Sequence, residues 1–270
     1  MKNIKYLALI VIVLIAASLL YFILTHETKT EYTVEIDRVV SCVTDVKKLT
    51  VPAKIDNKDI KVIGERAFYQ NKTLISVELS EGIERVMTAA FTDCESLRTL
   101  TIAKTVTSIQ PGAFENCPNF VKIEAGFENR VFDTVNGILY NKGKTELIYF
   151  PSGYVRADFY IPHGTLYIAE KAFYQANVNE VHIPETVLKV GAYAFSQNAS
   201  MKKITFPNSL MDLEDHALDG NPKLQSITIG SNVQMGDKVT GNNSLKDQYY
   251  IYGAGTYVKQ ENDEWIFSKK

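Results

Sequence analysis

The side chains best suited to catalysis or metal binding are four histidines and three cysteines. None of the histidines lies at a spacing from a carboxylate and a nucleophile that suggests a catalytic triad. The cysteines form no CxxC pair and no Cys/His cluster with the spacing of metal ligands. These residues are His26, His163, His182 and His216, and Cys42, Cys94 and Cys117. We therefore expect no catalytic residue, no cofactor and no metal site, and we expect that the chain is not an enzyme.

Composition and charge describe a folded protein that is nearly neutral. Apolar residues make up 46% of the 270 residues and charged residues 22%, proportions that are ordinary for a globular protein. The formal net charge is -2, and the sequence has no extended basic run. Because binding to nucleic acid requires a basic surface, we expect no nucleic-acid partner.

An uninterrupted apolar segment lies near the N-terminus. Lys2 and Lys5 precede nineteen residues without a charge, from Tyr6 to Leu24. At about 1.5 Å per residue, a helix of this length spans roughly 28 Å, close to the ~30 Å hydrocarbon core of a bilayer. No small-residue cleavage site follows, which favours an uncleaved signal anchor over the alternative, a cleaved signal sequence. We expect residues 1–5 in the cytoplasm, residues 6–24 across the membrane and the remainder exported, to the cell surface or the periplasm.

An Ala-Phe pair recurs along the chain at a nearly constant spacing. The steps between the phenylalanines are 23, 23, 59 and 22 residues, and a variant Ala-Leu pair follows 23 residues later. A second series of apolar residues repeats with the same period, for example at Leu74, Leu97 and Phe120. Two independent landmarks with one period indicate an internal repeat. The pairs are Ala67-Phe68, Ala90-Phe91, Ala113-Phe114, Ala172-Phe173, Ala194-Phe195 and Ala217-Leu218.

Each repeat unit contains a short predicted strand. In one unit Leu97, Leu100 and Ile102 follow the pattern apolar-x-x-apolar-x-apolar, and the alternation at its end predicts a strand with one buried face. A proline or small residue then ends the strand, and the Ala-Phe pair closes the unit. A unit of about 23 residues cannot bury its apolar face alone, so we expect the units to stack as coils around one shared core.

Cys94 and Cys117 lie three residues after the phenylalanine of consecutive units. In four other units the equivalent residues are Asn71, Ala176, Asn198 and Asn221. The exchange of Asn and Cys suggests a buried structural ladder in which Asn satisfies backbone groups that the turn leaves unpaired. A disulfide between the two cysteines is the alternative.

The units LRTLTIAKTVTSIQPGAFENC and VNEVHIPETVLKVGAYAFSQN resemble the leucine-rich repeats of the BspA-like family of bacterial surface proteins. That family's unit reads approximately L-x-x-I-x-I-P-x-x-V-x-x-I-G-x-x-A-F-x-x-C, and the resemblance covers about residues 46–232. The sequence departs from this pattern at Leu218, where the family has phenylalanine, and in the segment between the two repeat blocks. The resemblance implies a surface protein that binds a protein ligand, with adhesion to host or neighbouring-cell proteins.

Two segments depart from the repeat. Residues 126–155 contain β-prone runs around Asn136-Gly137, which predicts a hairpin insertion and explains the step of 59 residues. Near the C-terminus the sequence predicts strands at residues 249–252, 255–259 and 265–267, which would cover the open core of the last coil. An exposed recognition patch around the single tryptophan, Trp265, is the alternative.

The predicted fold is a β-rich (α/β-type) right-handed solenoid, a leucine-rich repeat arc with a β-hairpin insertion and a C-terminal β cap. After the anchor, the expected parts are a linker with an N-terminal cap (25–45), a first repeat block (46–125), the insertion (126–155), a second repeat block (156–239) and the C-terminal cap (240–270).

The outward side of the predicted strands is the candidate binding surface. Side chains alternate across a strand, so if Leu100 and Ile102 point into the core, Thr99 and Thr101 point outward. The same register in the other units gives a row of mixed charge with few aromatic residues, and curved solenoids use such extended faces for recognition. The predicted ligand-binding residues are Thr99, Thr101, Lys122, Glu124, Asp158, Tyr160, Glu180, His182, Lys203 and Thr205.

The leading functional hypothesis is an exported, membrane-anchored binding module for a protein ligand, either a host extracellular protein or an envelope protein. The alternative is a structural or envelope-organising repeat protein without a host ligand. A hydrolase is the least favoured of the three, because the sequence offers no catalytic constellation.

Overall fold

A computed structural model describes residues 29–154 and 157–268 of the chain. The predicted transmembrane anchor at residues 6–24 and the cytoplasmic residues 1–5 lie outside these described residues. Within the two described ranges, no helix combines the length and the apolar character that a membrane span requires.

The described residues form a β-solenoid of about nine turns, which confirms the predicted repeat architecture. Each regular coil contributes a strand of three or four residues, a second strand of two residues and a turn that carries the Ala-Phe pair. Within each repeat block, equivalent strands of successive coils pair in parallel, so these coils are hydrogen-bonded to one another along both strands.

The longer strands form two separate sheets, and all strands are numbered here in chain order. The first sheet contains β3 (Lys48–Val51), β7 (Ser76–Leu79), β9 (Thr99–Ile102) and β11 (Lys122–Ala125). The second sheet contains β15 (Asp158–Tyr160), β17 (Glu180–His182), β19 (Lys203–Thr205), β21 (Ser226–Ile229), β23 (Gly255–Lys259) and β24 (Trp265–Phe267).

The short strands form two further sheets. One contains β1 (Thr30–Glu35), β2 (Arg38–Thr44), β6 (Val62–Ile63), β8 (Arg85–Val86) and β10 (Ser108–Ile109). The other contains β12 (Phe132–Val135), β13 (Ile138–Asn141), β14 (Glu146–Tyr149), β16 (Tyr167–Ile168), β18 (Lys189–Val190), β20 (Asp212–Leu213) and β22 (Gln234–Met235). A small antiparallel pair, β4 (Lys54–Ile55) and β5 (Lys58–Asp59), projects from the first coil.

The turn of each regular coil passes through two residues with left-handed backbone angles. In one coil these are Ala89 (φ 58°) and Asp93 (φ 60°), which flank the Ala90-Phe91 pair. The backbone N–H of Phe91 donates to the carbonyl of Ala113 in the next coil at 2.8 Å. The Ala-Phe pair therefore marks the point where the backbones of successive coils meet, and the repeat of this pair follows from that contact.

The phenylalanines of the Ala-Phe pairs stack into a buried column. The ring centroids of Phe68 and Phe91 are 4.8 Å apart, and those of Phe91 and Phe114 are 5.5 Å apart. Phe91 is fully buried, and Phe114 is 3% exposed. The expected single core column in this block is thereby confirmed.

Phe150 begins a second phenylalanine column beyond the irregular segment. Its ring stacks on Phe173 at 4.8 Å, and its backbone N–H donates to the carbonyl of Ala172 at 2.7 Å, as in the regular coils. The strand before it, β14, pairs in parallel with β16. The solenoid thus resumes at β14, earlier than the predicted start of the second repeat block at residue 156.

The insertion itself is an antiparallel hairpin of β12 and β13 that turns at Asn136-Gly137, as the sequence predicted. Its tip lies against β11, because the N–H of Ile123 donates to the carbonyl of Gly137 at 2.9 Å. Gly137 has a φ of 84°, and a Cβ there would lie 2.4 Å from the Cβ of Lys122. Glycine is required at this tip both for the backbone angle and for the close approach.

The C-terminal cap differs from the prediction at residues 249–252. These residues end an α-helix, α1 (Ser244–Tyr252), and are not a strand. Leu245 and Tyr249, one helical turn apart, are buried against the core, and the Tyr249 hydroxyl donates to the carbonyl of Gly230 at 2.9 Å. This packing outweighs the β-propensity of the tyrosines. The other two predicted strands are present as β23 and β24.

Candidate binding face

The ten candidate residues all lie on the outward side of the longer strands. Each is exposed or half-buried, whereas the residues between them point inward. Leu100 and Ile123 are fully buried, and Val181 and Ile204 are 2% and 1% exposed. The strand register inferred from the repeat is therefore confirmed, and ligand binding by these side chains remains a prediction.

The candidate residues form two patches and not one continuous row. β11 is the last strand of the first sheet and β15 is the outermost strand of the second, and the two do not pair. The hairpin tip at Gly137 occupies the free edge of β11 instead. The first strand face comprises Thr99, Thr101, Lys122 and Glu124. The second strand face comprises Asp158, Tyr160, Glu180, His182, Lys203 and Thr205.

The polar side chains of the first strand face already form hydrogen bonds or ion pairs. The Lys122 ammonium pairs with the Glu124 carboxylate at 2.5 Å, and the Thr101 hydroxyl donates to Glu124 at 3.5 Å. The Thr99 hydroxyl donates to the hydroxyl of Ser76 in the neighbouring strand at 2.8 Å. A ligand would have to break these contacts before it could form its own.

The second strand face presents an aromatic pair in which the tyrosine is exposed and the histidine is half-buried. The ring of Tyr160 stacks on the imidazole of His182 in the adjacent strand, with centroids 4.0 Å apart and an interplanar angle of 9°. Tyr160 is 69% exposed. Beside this pair, the Lys203 ammonium lies 3.0 Å from the Glu180 carboxylate. The stacked rings therefore have a fixed geometry on a hydrogen-bonded sheet while much of the tyrosine remains in solvent.

A cluster of two aromatic rings and a lysine lies on the turns and was not predicted from the sequence. The rings of Tyr193 and His216 stack at 4.9 Å, and the Lys171 ammonium lies 5.9 Å from the Tyr193 ring centroid. Burial lowers the pKa of Lys171, but its hydrogen bond and charge interaction with Glu115 outweigh this, and the net pKa is raised. All three residues lie two positions before the column residue of their coil. That shared spacing could have revealed the cluster.

The three cysteines are buried free thiols. The thiol of Cys94 donates to the carbonyl of Phe68 and that of Cys117 to the carbonyl of Phe91, each at 3.0 Å. A hydrogen bond with Cys94, together with burial, raises the pKa of the Cys117 thiol, and burial raises the pKa of Cys42 to about 12. Buried protonated thiols are poor nucleophiles. The structure shows the buried ladder and not the alternative disulfide.

The cap offers no exposed tryptophan patch, so that alternative is wrong. Trp265 is only 2% exposed, because its ring belongs to the core that closes the last coil. It lines a surface cavity of about 470 Å³ together with Lys259 and Asp263, whose side chains pair at 2.6 Å. In the described part of the chain, no group of three or more His, Cys, Asp or Glu residues could hold a metal ion.

The sequence repeat is also recognised in a comparison with protein families. A family profile described as the BspA type leucine rich repeat region matches six copies, over residues 42–156 and 149–253. The chain belongs to this BspA-type family. The resemblance predicted from the two quoted repeat units is thereby confirmed.

Several solved structures are similar to this BspA-type chain. A leucine-rich repeat protein from Eubacterium ventriosum has 15% identity and a TM-score of 0.49, covering 82% of this chain and 84% of that one. The pneumococcal vaccine antigen PcpA has 18% identity and a TM-score of 0.47, with coverage of 78% and 84%. A leucine-rich cell surface protein from Faecalibacterium prausnitzii has 17% identity and a TM-score of 0.46, with coverage of 80% and 85%. No curated protein matches the chain.

Proposed function

We propose that this BspA-type chain is an exported binding module that recognises a protein ligand through its second strand face. The stacking of the exposed Tyr160 on the half-buried His182 is the observation that carries the proposal. Aromatic side chains that are held rigidly lose little conformational entropy when they bind, and they are enriched among interface hot spots. The first strand face is less suited to this role because none of its four candidate residues is aromatic.

The proposal is one of binding and not of catalysis. The repeat fold of the family is of the binding type. The buried cysteines are unsuitable as nucleophiles, and the imidazole of His182 stacks on a tyrosine on an open strand face. An open sheet surface excludes water poorly, whereas catalytic sites depend on enclosed, water-excluding geometry.

We further propose that residues 6–24 hold the module in the membrane, with the solenoid on the outer side. The length of the apolar run and the two preceding lysines support this arrangement. Adhesion to a host or neighbouring-cell protein is the role that we assign to the module. Intact-mass measurement of membrane-extracted protein tests the anchor, since a mature N-terminus after Ala17 contradicts it.

The binding face is tested by affinity capture with the full chain against extracellular-matrix proteins and cell-envelope extracts. We expect Tyr160→Ala together with His182→Ala to weaken capture of the ligand at least about tenfold, or ~1.4 kcal/mol, without changing the melting transition. Tyr167→Ala is the matched control, because Tyr167 is an exposed tyrosine of the same coil on a short strand. Undiminished capture by the double variant places the ligand on another surface.

Protease treatment of intact cells separates adhesion from an envelope-organising role. A host-facing module must be reachable from outside, so we expect cleavage of the solenoid without permeabilisation. Protection in intact cells, followed by cleavage after permeabilisation, would instead favour an internal envelope ligand.

A further inference from the structure

Tyr160 has one ring face without a neighbour in its sheet. It lies on β15, an edge strand of the second sheet, which among the described strands pairs with β17 alone. His182 of β17 covers one face of the ring, and the residue as a whole is 69% exposed. Among the described residues, no other aromatic ring stacks on Tyr160 and no cation lies over it, which leaves the opposite face for a planar group that would continue the stack.

Asp158 supplies a carboxylate on the same strand as Tyr160. It lies two residues before Tyr160 on the same side of β15, which separates the two by about 6.6–6.8 Å along the strand. In residues 29–154 and 157–268, no Lys, Arg or His side chain forms an ion pair with Asp158. The neighbouring carboxylate, Glu180, is by contrast paired with Lys203 at 3.0 Å.

From this juxtaposition we infer that the second strand face recognises an arginine side chain of its protein partner. The guanidinium group stacks on the free face of Tyr160 and donates to the carboxylate of Asp158. This inference rests on the proposed function and specifies the chemistry of its ligand.

Arginine fits this arrangement better than other side chains do. Its guanidinium is planar and weakly hydrated, so it stacks on an aromatic ring while its edge donates to a carboxylate. A lysine ammonium is a compact, strongly hydrated charge that can pair with Asp158 but cannot stack flat on Tyr160. An aromatic side chain could stack, but it would gain nothing from the carboxylate.

The test is a titration of the full chain in non-ionic detergent with three blocked tripeptides, acetyl-Gly-X-Gly-amide, in which X is arginine, lysine or citrulline. Citrulline keeps the planar shape and removes the charge. The readout is the NMR shift of the His182 imidazole, which adjoins the stack. We expect saturable binding of the arginine peptide and at least about tenfold weaker binding of the other two, the loss corresponding to ~1.4 kcal/mol.

Variants assign this response to the two residues. Asp158→Asn should weaken binding of the arginine peptide about fivefold or more, and Tyr160→Phe should retain it because phenylalanine still stacks. Asp59→Asn, at an exposed aspartate of the β4–β5 pair, is the matched control. Equal binding of the lysine or citrulline peptide, or no effect of Asp158→Asn, overturns the inference.

Failure of the arginine assignment can be distinguished from failure of the proposed function. If capture of the protein ligand depends on Tyr160 and His182 but not on Asp158, the binding face stands and the arginine assignment fails. If capture depends on none of the three residues, both fail.

Discussion

At the repeat position three residues after the column residue, cysteine and asparagine side chains donate the same hydrogen bond. Asn198 and Asn221 donate to the carbonyls of Phe173 and Phe195 in the preceding coil, at 3.0 and 2.9 Å, as the cysteine thiols do in the first block. These carbonyls lie in the buried turn, where an unpaired backbone group is costly. The ladder therefore connects the turns of successive coils from within the core.

Asparagine makes more of these bonds than cysteine does, and this difference can be measured. The Asn198 amide also donates to the carbonyls of Phe195 and Ser196, at 2.7 and 3.2 Å. We expect Asn198→Ala to lower the free energy of unfolding by about 2–3 kcal/mol, and Cys94→Ala by about 1 kcal/mol, because fewer buried carbonyls lose a donor. Urea denaturation provides both values. Equal losses would show that the additional asparagine bonds contribute nothing net.

At the scale of an element, the phenylalanine column tolerates a change of shape better than a loss of volume. Leu218 occupies the column position after Phe195, is 1% exposed, and its backbone N–H donates to the carbonyl of Val239 at 2.8 Å in the usual pattern. A leucine can thus fill this position without disturbing the contact between coils.

Phe195 tests this tolerance. We expect Phe195→Ala to destabilise the fold by about 3–5 kcal/mol because a cavity is left between Phe173 and Leu218. Phe195→Leu should cost less than about 1.5 kcal/mol because most of the apolar volume is kept. Thermal unfolding monitored by circular dichroism compares the two variants. Similar losses for both would mean that ring stacking, rather than volume, stabilises the column.

The C-terminal cap also covers the edge of the second sheet at β24, the opposite end from β15. Strand β24 ends the sheet, and helix α1 lies beside it. The backbone N–H of Trp265 donates to the Ser244 hydroxyl at 3.1 Å, and that of Phe267 donates to the side-chain oxygen Oε1 of Gln248 at 3.3 Å. Side chains of the helix thus occupy donors that would otherwise be free to pair with another strand.

Removing both acceptors should expose this edge. We expect Ser244→Ala together with Gln248→Ala to produce concentration-dependent self-association, because a free strand edge pairs with other strands. Light scattering over a range of protein concentrations measures this effect. Asp247→Ala, on the exposed side of the same helix, is the control. A double variant that scatters no more than the control would show that other parts of the cap suffice.

The sequence predicted the elements that recur with the repeat, because the stacking of coils around one core fixes their spacing. The register of the strands and the buried column follow from the 23-residue period, because each coil repeats the same contacts with its neighbours. Helix α1 was missed because the burial of Tyr249 depends on where the last coil ends. Phe150 was missed because Tyr149 precedes it in place of alanine. The division of the candidate face was missed because the pairing of β11 depends on the hairpin tip.

At the scale of the whole molecule, the solenoid contains one irregular junction. The coil that carries Phe150 has a shortened turn, so the coils on either side contact each other directly. The N–H of Asn116 donates to the Gln175 side-chain oxygen at 2.8 Å, and the Lys171 ammonium lies 2.6 Å from the Glu115 carboxylate. The buried apolar residues form two clusters that meet at this junction. Side chains here replace the backbone contacts that link the regular coils.

Because a solenoid transmits stability only between neighbouring coils, this junction should determine whether the two blocks unfold together. Trp265 is the only tryptophan in the sequence, and it lies in the buried cluster of the second repeat block. Its fluorescence therefore reports the unfolding of that block, whereas far-UV circular dichroism reports the unfolding of both blocks. In the unaltered chain, we expect the two urea transitions to coincide. In Lys171→Ala with Gln175→Ala they should separate, because the junction loses its ion pair and its hydrogen bonds.

The control places the same two substitutions inside the second block, as Lys189→Ala with Gln197→Ala. Lys189 forms surface ion pairs with Asp212 and Glu214, so its loss perturbs contacts between coils of one block without touching the junction. We expect lower stability in this variant with coincident transitions. If the junction variant also unfolds in one step, the remaining contacts at the junction, among them the ring contact of Phe114 with Tyr149 at 5.2 Å, are enough to couple the blocks. If the unaltered chain already unfolds in two steps, the two blocks are independent. A ligand that binds the second strand face would then stabilise the second block alone and shift only the transition that fluorescence detects.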